Sequence, residues 1–246
     1  MSQLTGKVAL VTGGSRGIGA AIANRLARDG ADVALTYVSA PDKAAQVVAQ
    51  IDSTGRRGLA IAADSAHPGA VAAAVEQTAA ELGRLDILVN NAGIFIPSPF
   101  EDATLDEIER NWTVNVRAVI VAIQAAIRHM PDGGRVINIG SCLAERVSGP
   151  GVTLYAMSKA ALIGLTKGLA RDLGPRGITV NVVEPGPIDT DMNPAAGPGA
   201  EDQRRATALG RYGTGEDIAA MVAHLAGEGG RNITGAAILI DGGYAA

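Results

Sequence analysis

The chain has 246 residues, 47% of them hydrophobic, 19% charged and only 3% aromatic, with a formal net charge of -4. That size and apolar content exclude wholesale disorder and give one large domain, or at most two small ones, with a real core. The acidic balance, with no Lys or Arg run, excludes a nucleic-acid stripe or an anionic-membrane patch. One cysteine (Cys142) and three scattered histidines exclude disulfide staples and metal sites of the usual spacing. No apolar stretch is long enough for a leader or a bilayer span, so a soluble, cytoplasmic protein is expected.

In chain order, short apolar runs at 7–12, 32–37, 58–63, 86–90, 135–140, 178–183 and 236–240 read as strands. Helical patterns lie near 17–29, 41–54, 68–82, 104–130, 152–173 and 214–227. Strands without polar alternation, each followed by a helix, predict a parallel sheet covered on both faces. Right-handed crossovers then give a doubly wound, Rossmann-type α/β fold of about seven strands. Pro41 and Pro68 stand where helices start, Gly30, Gly55, Gly83 and Gly174 where they stop, and Asp102 and Thr104 offer caps to the longest helix. The stretch 187–210, with Pro187, Pro194 and Pro198, is an irregular insertion of the kind that forms a lid. With no linker or repeat, 1–246 is expected to be a single dinucleotide-binding catalytic domain.

The first strand runs into Thr12-Gly13-Gly14-Ser15-Arg16-Gly17-Ile18-Gly19 and a helix follows at once. Glycines there allow a tight turn and a close approach to a pyrophosphate, which the N–H groups of the helix start would hold. NAD enzymes place an acid at the end of the second strand to hold the 2′-hydroxyl. Here that strand ends in Tyr37-Val38-Ser39, with no carboxylate. Arg16 is placed instead to pair with a 2′-phosphate, helped by the hydroxyls of Tyr37 and Ser39, so NADP(H) is favoured over NAD(H). A merely solvated Arg16 is the plain alternative.

Tyr155 and Lys159 share one helix face at i, i+4. A phenol titrates near 10, and an ammonium roughly 5 Å away contributes on the order of 3 kcal/mol, which would lower it by about two units. Ser141 ends the fifth strand at the carboxyl edge where open α/β sheets bind ligands, and Asn90-Asn91-Ala92-Gly93 follows the fourth strand at the same edge. Asn115 sits amid apolar neighbours in the longest predicted helix, where a buried amide needs partners. Read singly, these are a surface pair, a turn and a helix-bending amide. In this order they form a constellation.

Together the motifs resemble the short-chain dehydrogenase/reductase family over the whole chain. Thr12–Gly19 is similar to its TGxxxGxG, Asn90–Gly93 to its NNAG, and Asn115, Ser141, Tyr155 and Lys159 to its catalytic tetrad. Pro185 and Gly186, with Ile188 and Thr190 following, resemble its PGxxxT at the nicotinamide end. Asp64 stands where the family contacts adenine, and Ser65 replaces the usual hydrophobic residue. The resemblance implies carbonyl reduction, or the reverse oxidation. Tyr155 would exchange a proton with the substrate oxygen, Ser141 would bond that oxygen, Lys159 would hold the nicotinamide ribose, and Asn115 would keep a relay water. It also implies cofactor contacts from Gly13, Ser15, Arg16, Gly17, Ile18, Gly19, Asn91, Ala92 and Gly93. An arginine before the second glycine marks the family's NADP-preferring members.

The pocket is expected between 94–99, 142–150 and 187–210. Ile94, Phe95, Ile96, Leu143, Val147 and Met192 make it mostly apolar, with Glu145 and Arg146 as exceptions, which suits an uncharged ketone of modest size. Cys142 reads as wall rather than nucleophile. Helices 104–130 and 152–173 are apolar on more than one face; in the family they pair between subunits, and Asp241-Gly242-Gly243 resembles the tail of tetrameric members. A homotetramer is therefore expected. Two other readings stand beside a general ketone reductase. One is a 3-oxoacyl-carrier-protein reductase, for which Arg146, Arg171 and Arg176 could meet an acidic carrier. The other is a nucleotide-binding regulator without turnover.

Overall fold

The structure, a computed structural model, describes residues 3–246. Seven strands, β1 (Val8–Val11), β2 (Asp32–Tyr37), β3 (Gly58–Ala62), β4 (Ile87–Asn90), β5 (Arg135–Ile139), β6 (Thr179–Pro185) and β7 (Ala237–Ile240), form one sheet in the order β3-β2-β1-β4-β5-β6-β7. Every neighbouring pair is parallel. This is the doubly wound α/β fold that the alternation of apolar runs and helices predicts.

The strands are apolar on both sides because each face packs on helices. Within β1, Ala9 and Val11 join one core with Ile22 and Leu26 of α1 (Gly17–Arg28), Val47 and Ile51 of α2 (Pro41–Ser53), and Ile218 of α8 (Gly215–Ala226). Val8 and Leu10 join the other, with Val75 of α3 (Pro68–Leu82), Ile123 of α5 (Ala118–Ala126) and Leu162 of α6 (Thr153–Leu173). The period-two alternation of Cβ directions makes that division.

Pro41 and Pro68 open α2 and α3 as expected. Thr104 caps α4 (Leu105–Trp112) in a reciprocal box: its hydroxyl accepts the Glu107 N–H, and the Glu107 carboxylate accepts the Thr104 N–H. Gly83 ends α3 in the left-handed region, at φ 88°. Gly174 does not end α6 in that way. It is right-handed and opens a short 3-10 turn, and the left-handed stop is Gly177, at φ 64°.

Two further departures bear on the site. The single helix expected at 104–130 is α4 and α5 joined by a π-helical turn, Thr113–Arg117, and α5 ends at Ala126. The stretch 187–210 is not wholly irregular, since α7 (Ala200–Ala206) lies within it. All strands point the same way, so the carboxyl ends of β1, β4, β5 and β6 lie along one edge. That edge gathers the glycine turn, Asn90–Gly93, Ser141 and Pro185–Gly186.

Candidate active site

The glycine turn is tight by construction. A methyl on Gly14 would stand 2.6 Å from Leu35 Cβ, and one on Gly19 would stand 2.3 Å from the Gly13 carbonyl oxygen. Gly13 and Gly17 have φ of 64° and 54°, which side-chain-bearing residues rarely adopt. The turn is tied to its neighbours by residues that the motif reading passed over. Thr36 Oγ1 accepts the Gly13 N–H at 2.9 Å, and Thr12 Oγ1 accepts the N–H groups of Asn91 and Ala92, each at 3.0 Å. Asn91, expected at the cofactor, spends its side-chain amide on the carbonyls of Thr12 and Gly13, at 2.9 and 3.0 Å. It therefore holds the turn in shape. Ser65 lines a small cleft with Thr12, Asn90 and Ala92, while Asp64 accepts the Ala66 N–H and stands 3.4 Å from His67 Nδ1.

Arg16 is the N-cap residue of α1 and its side chain is exposed. Gly17 lies against Thr190, with 3.4 Å between a Cβ built on Gly17 and Thr190 Cγ2. The segment after β6 thus crosses the glycine turn. Tyr37 and Ser39 close the far side at the end of β2; Tyr37 is half-buried and Ser39 exposed. Ile188 is buried in the core beside α1 and α8, and Ile18 is half-buried against the same core. Gly186 packs so closely on the chain end that a methyl would stand 2.5 Å from Asp241 Cα.

Asn115, Ser141, Tyr155 and Lys159 come together. Tyr155 and Lys159 lie on α6, Lys159 buried and Tyr155 half-buried; the Lys159 Nζ is 5.7 Å from the Tyr155 ring centre. The Ser141 hydroxyl is hydrogen-bonded to the Tyr155 phenol and accepts the Leu143 N–H at 3.2 Å. Phe95 meets the Tyr155 ring edge-on, with centroids 5.0 Å apart at 87°. Asn115 sits in the π turn. Its amide donates to the Ile94 carbonyl and to Ser158 Oγ, and its oxygen accepts the Ile94 N–H at 2.9 Å. Ser158 Oγ in turn donates to the Tyr155 carbonyl at 2.7 Å. Opening the helix by one residue brings this amide to the 94–99 segment, a use of π turns that recurs at functional sites.

The electrostatics correct one expectation. Tyr155 is not lowered by Lys159; burial pushes its phenol up to about 12, against the opposing hydrogen bond from Ser141. Lys159 Nζ donates to the Ile139 carbonyl at 3.0 Å, and burial pulls its pKa down to about 8. Both groups lose water, and desolvation outweighs the attraction inferred from spacing alone. The Tyr155 phenol is consequently protonated at neutral pH. Cys142 is buried too, and its thiol is pushed up to about 12, which makes it inert wall.

The pocket walls are anchored from the chain end. Arg146 Nη1 donates to the Tyr244 carbonyl at 2.7 Å, and the Tyr244 hydroxyl donates to Ser148 Oγ at 2.6 Å. Phe95, Val147, Met192 and Leu209 are exposed large apolar side chains on the segments expected to frame the pocket. Glu184 of β6, which the sequence reading missed, is wholly buried and neither carboxyl oxygen has a hydrogen-bond partner. Burial first, then the carboxylates of Glu145 and Asp241, push its pKa from 4.5 to about 7. Across that window the folded chain keeps a proton that the unfolded chain has released. Stability therefore falls as pH rises from about 4.5 to about 7 and stays at the lower level above it. Glu184→Gln, neutral and of equal shape, is expected to raise Tm by several degrees at pH 8 and far less at pH 5. A shift that is equal in melts at the two pH values would make the change one of packing.

A βαβ glycine turn, a Ser-Tyr-Lys cluster and a buried amide at one sheet edge define a nucleotide-linked oxidoreductase. The chain belongs to the short-chain dehydrogenase/reductase family. Residues 13–245 match a family profile described as Enoyl-(Acyl carrier protein) reductase. The fold superimposes on a short chain dehydrogenase from Burkholderia cenocepacia J2315 in complex with NADP, with TM-score 0.98, 61% identity and coverage of 99% and 100% of the two chains. It is also similar to a blue fluorescent protein from a metagenomic library in complex with NADPH, with TM-score 0.97 and 61% identity over 99% and 100% of the two chains. Among curated relatives, the Cyclic-di-GMP-binding biofilm dispersal mediator protein of Escherichia coli (strain K12) is 45% identical over 246 residues, all of both chains.

Proposed function

We propose that this oxidoreductase reduces an uncharged ketone with NADPH, and that Tyr155 donates the proton. The observation that carries the reading is the dry cluster itself: a protonated phenol bonded to Ser141, with a buried ammonium one turn along α6. The residues present fit a nicotinamide dinucleotide. Gly93 leaves room beside the cluster, since a methyl there would stand 3.2 Å from Asn115 Oδ1 and 3.3 Å from Lys159 Nζ. The glycine turn, Arg16 and Thr190 line one continuous edge beyond it, and two neighbours at 61% identity were solved with NADP or NADPH. When bound, the cofactor supplies the hydride.

The chain's own residues do the rest. Tyr155 protonates the oxygen as it gains charge, and Ser141 bonds the same oxygen, an oxyanion-type pair held in place before reaction. Lys159, fixed by the Ile139 carbonyl, is positioned for ribose hydroxyls and supplies positive charge to the dry site. Asn115 anchors the Ile94 main chain and faces the Gly93 space where a relay water is expected. Phe95, Ile94 and Met192 exclude water from an apolar substrate.

The arginines weigh against an acidic carrier. Arg176 bonds the Ile127 and Met130 carbonyls and ties down the end of α5. Arg171 lies sixteen residues along α6 from Tyr155, roughly 24 Å at 1.5 Å per residue. Of Arg146, Arg171 and Arg176, only Arg146 lies on a segment expected to frame the pocket. The regulator reading is favoured by the 45% identical relative named as binding cyclic-di-GMP.

The deciding experiment follows absorbance at 340 nm with NADPH and NADH against a β-keto ester, a cyclic ketone, an α-diketone and an acetoacetyl thioester. Oxidation of NADPH with a ketone supports the proposal, and a strong thioester preference would move it to the carrier-protein substrate. Binding of both cofactors without turnover, with cyclic-di-GMP competing, would give the regulator. Arg16→Ala is expected to raise KM for NADPH about 10- to 100-fold and that for NADH less than about threefold, since only NADPH carries the 2′-phosphate. Equal rises would remove Arg16 from that role. Assembly into four copies is part of the proposal. Leu105 and Trp112 on α4 and Met157 on α6 are exposed apolar side chains on the helices expected to pair, and light scattering gives the mass.

A further inference from the structure

The geometry points to Asp191 as a residue that sets the choice between NADPH and NADH, by occupying with its own carboxylate the two cations that would receive the 2′-phosphate. The inference rests on the NADP(H) reading and deepens it. Asp191 Oδ2 lies 3.0 Å from Lys43 Nζ and 3.5 Å from Arg16 Nη1. Three parts of the chain meet there: the start of α1, the first turn of α2 two residues beyond Pro41, and the segment that follows Thr190 across Gly17. Arg16 was singled out for the 2′-phosphate from sequence. Lys43 was not, and it now stands beside Arg16 on the same anion, one short turn past Tyr37 and Ser39.

A carboxylate bridging an arginine and a lysine is a chemical stand-in for a phosphate oxygen in the same place. Lys43, then Arg16, hold the Asp191 carboxyl below its ordinary range, so it is charged at any working pH. All three side chains are half-exposed or more, at 62% for Arg16, 51% for Lys43 and 58% for Asp191. Such pairs are weak and yield to a better anion. A phosphate monoester brings close to two negative charges and three acceptor oxygens, against one charge and two oxygens on Asp191. The trio carries a net charge of +1 with Asp191 ionised and +2 with it neutralised. Asp191 therefore competes with the 2′-phosphate for both cations and repels it, while NAD(H), which has a hydroxyl there, leaves the trio intact. The carboxylate holds NADP(H) preference below what Arg16 and Lys43 alone would give.

The test uses the full-length protein and two probes without a nicotinamide, adenosine 2′,5′-bisphosphate and 5′-AMP, titrated by calorimetry in low salt. Asp191→Asn is expected to tighten the bisphosphate about three- to tenfold and to leave 5′-AMP unchanged, with the gain shrinking at 0.5 M salt. Lys43→Gln is expected to weaken the bisphosphate by a similar factor, again without effect on 5′-AMP. If Asp191→Asn leaves the bisphosphate unchanged, the competition does not exist. If it weakens both probes alike, Asp191 is a latch for the 187–199 segment and the inference is overturned. A wild-type protein that binds both probes equally fails earlier, at the NADP(H) reading, and takes this inference with it. The three failures are distinguishable in one set of titrations.

Discussion

Tyr155→Phe is expected to lower kcat by a factor of about 100 to 10,000 while leaving NADPH affinity within about twofold. The phenyl ring keeps its edge-on contact with Phe95 and its place on α6, so packing is conserved. Only the hydroxyl is lost, and with it the proposed proton donor and the partner of Ser141. Ser141 keeps its bond from the Leu143 N–H, which holds the strand end in shape. The measurement is kcat by NADPH oxidation beside Kd by NADPH fluorescence, with a thermal melt to check folding. A variant retaining more than about a tenth of the turnover would move the proton donor elsewhere. The burial that raises the phenol to about 12 also predicts the pH response. Turnover in the reducing direction should hold at neutral pH, where Tyr155 is protonated, and decline only as the donor and Lys159, at about 8, lose their protons.

Gly19→Ala is expected to damage binding and stability together. The new methyl would stand 2.3 Å from the Gly13 carbonyl oxygen and 2.5 Å from Asn91 Nδ2. Neither neighbour is a free side-chain end, because the Asn91 amide is bonded to the carbonyls of Thr12 and Gly13. The turn must open, at the cost of about 1–3 kcal/mol typical of overpacking, which reads as a fall of several degrees in Tm. Its N–H groups then no longer converge, and NADPH binding is expected to weaken about tenfold or more, the equivalent of 1.4 kcal/mol. Gly69→Ala is the control. Gly69 lies in the first turn of α3 with nothing within 4 Å of an added methyl, so Tm should hold or rise slightly. Equal losses in the two variants would remove the close-packing argument.

The fold was legible because parallel strands leave a double signal, apolar on both faces and punctuated by helices, and bounds from those runs fall within a residue or two for most elements. The meeting of Ser141, Tyr155 and Lys159 was legible because the place of Ser141 after β5 and the i, i+4 spacing of Tyr155 and Lys159 are local facts. What escaped depends on contacts distant in sequence. The π turn at Thr113–Arg117 inserts one residue into a helix whose apolar period continues undisturbed, so only the amide of Asn115, set among valines, hinted at it. The raised pKa of Tyr155 follows from burial beneath Phe95, sixty residues away in sequence, which spacing to Lys159 cannot reveal. Glu184 hides in an apolar strand, where a lone carboxylate was the available signal. Lys43 and Asp191 are 148 residues apart and meet only once the sheet is wound.

The π turn also makes α4 and α5 unequal partners on one continuous rod. The α5 half is committed inward, with Ala118, Val119, Ala122 and Ile123 buried against the sheet, while the α4 half shows Leu105, 81% exposed, and Trp112 to the outside. Asn115 sits at the joint. Its amide holds the Ile94 backbone, next to Phe95, whose ring meets Tyr155 edge-on, so a displacement of α4 about that joint would reach Tyr155 through one amide and one ring.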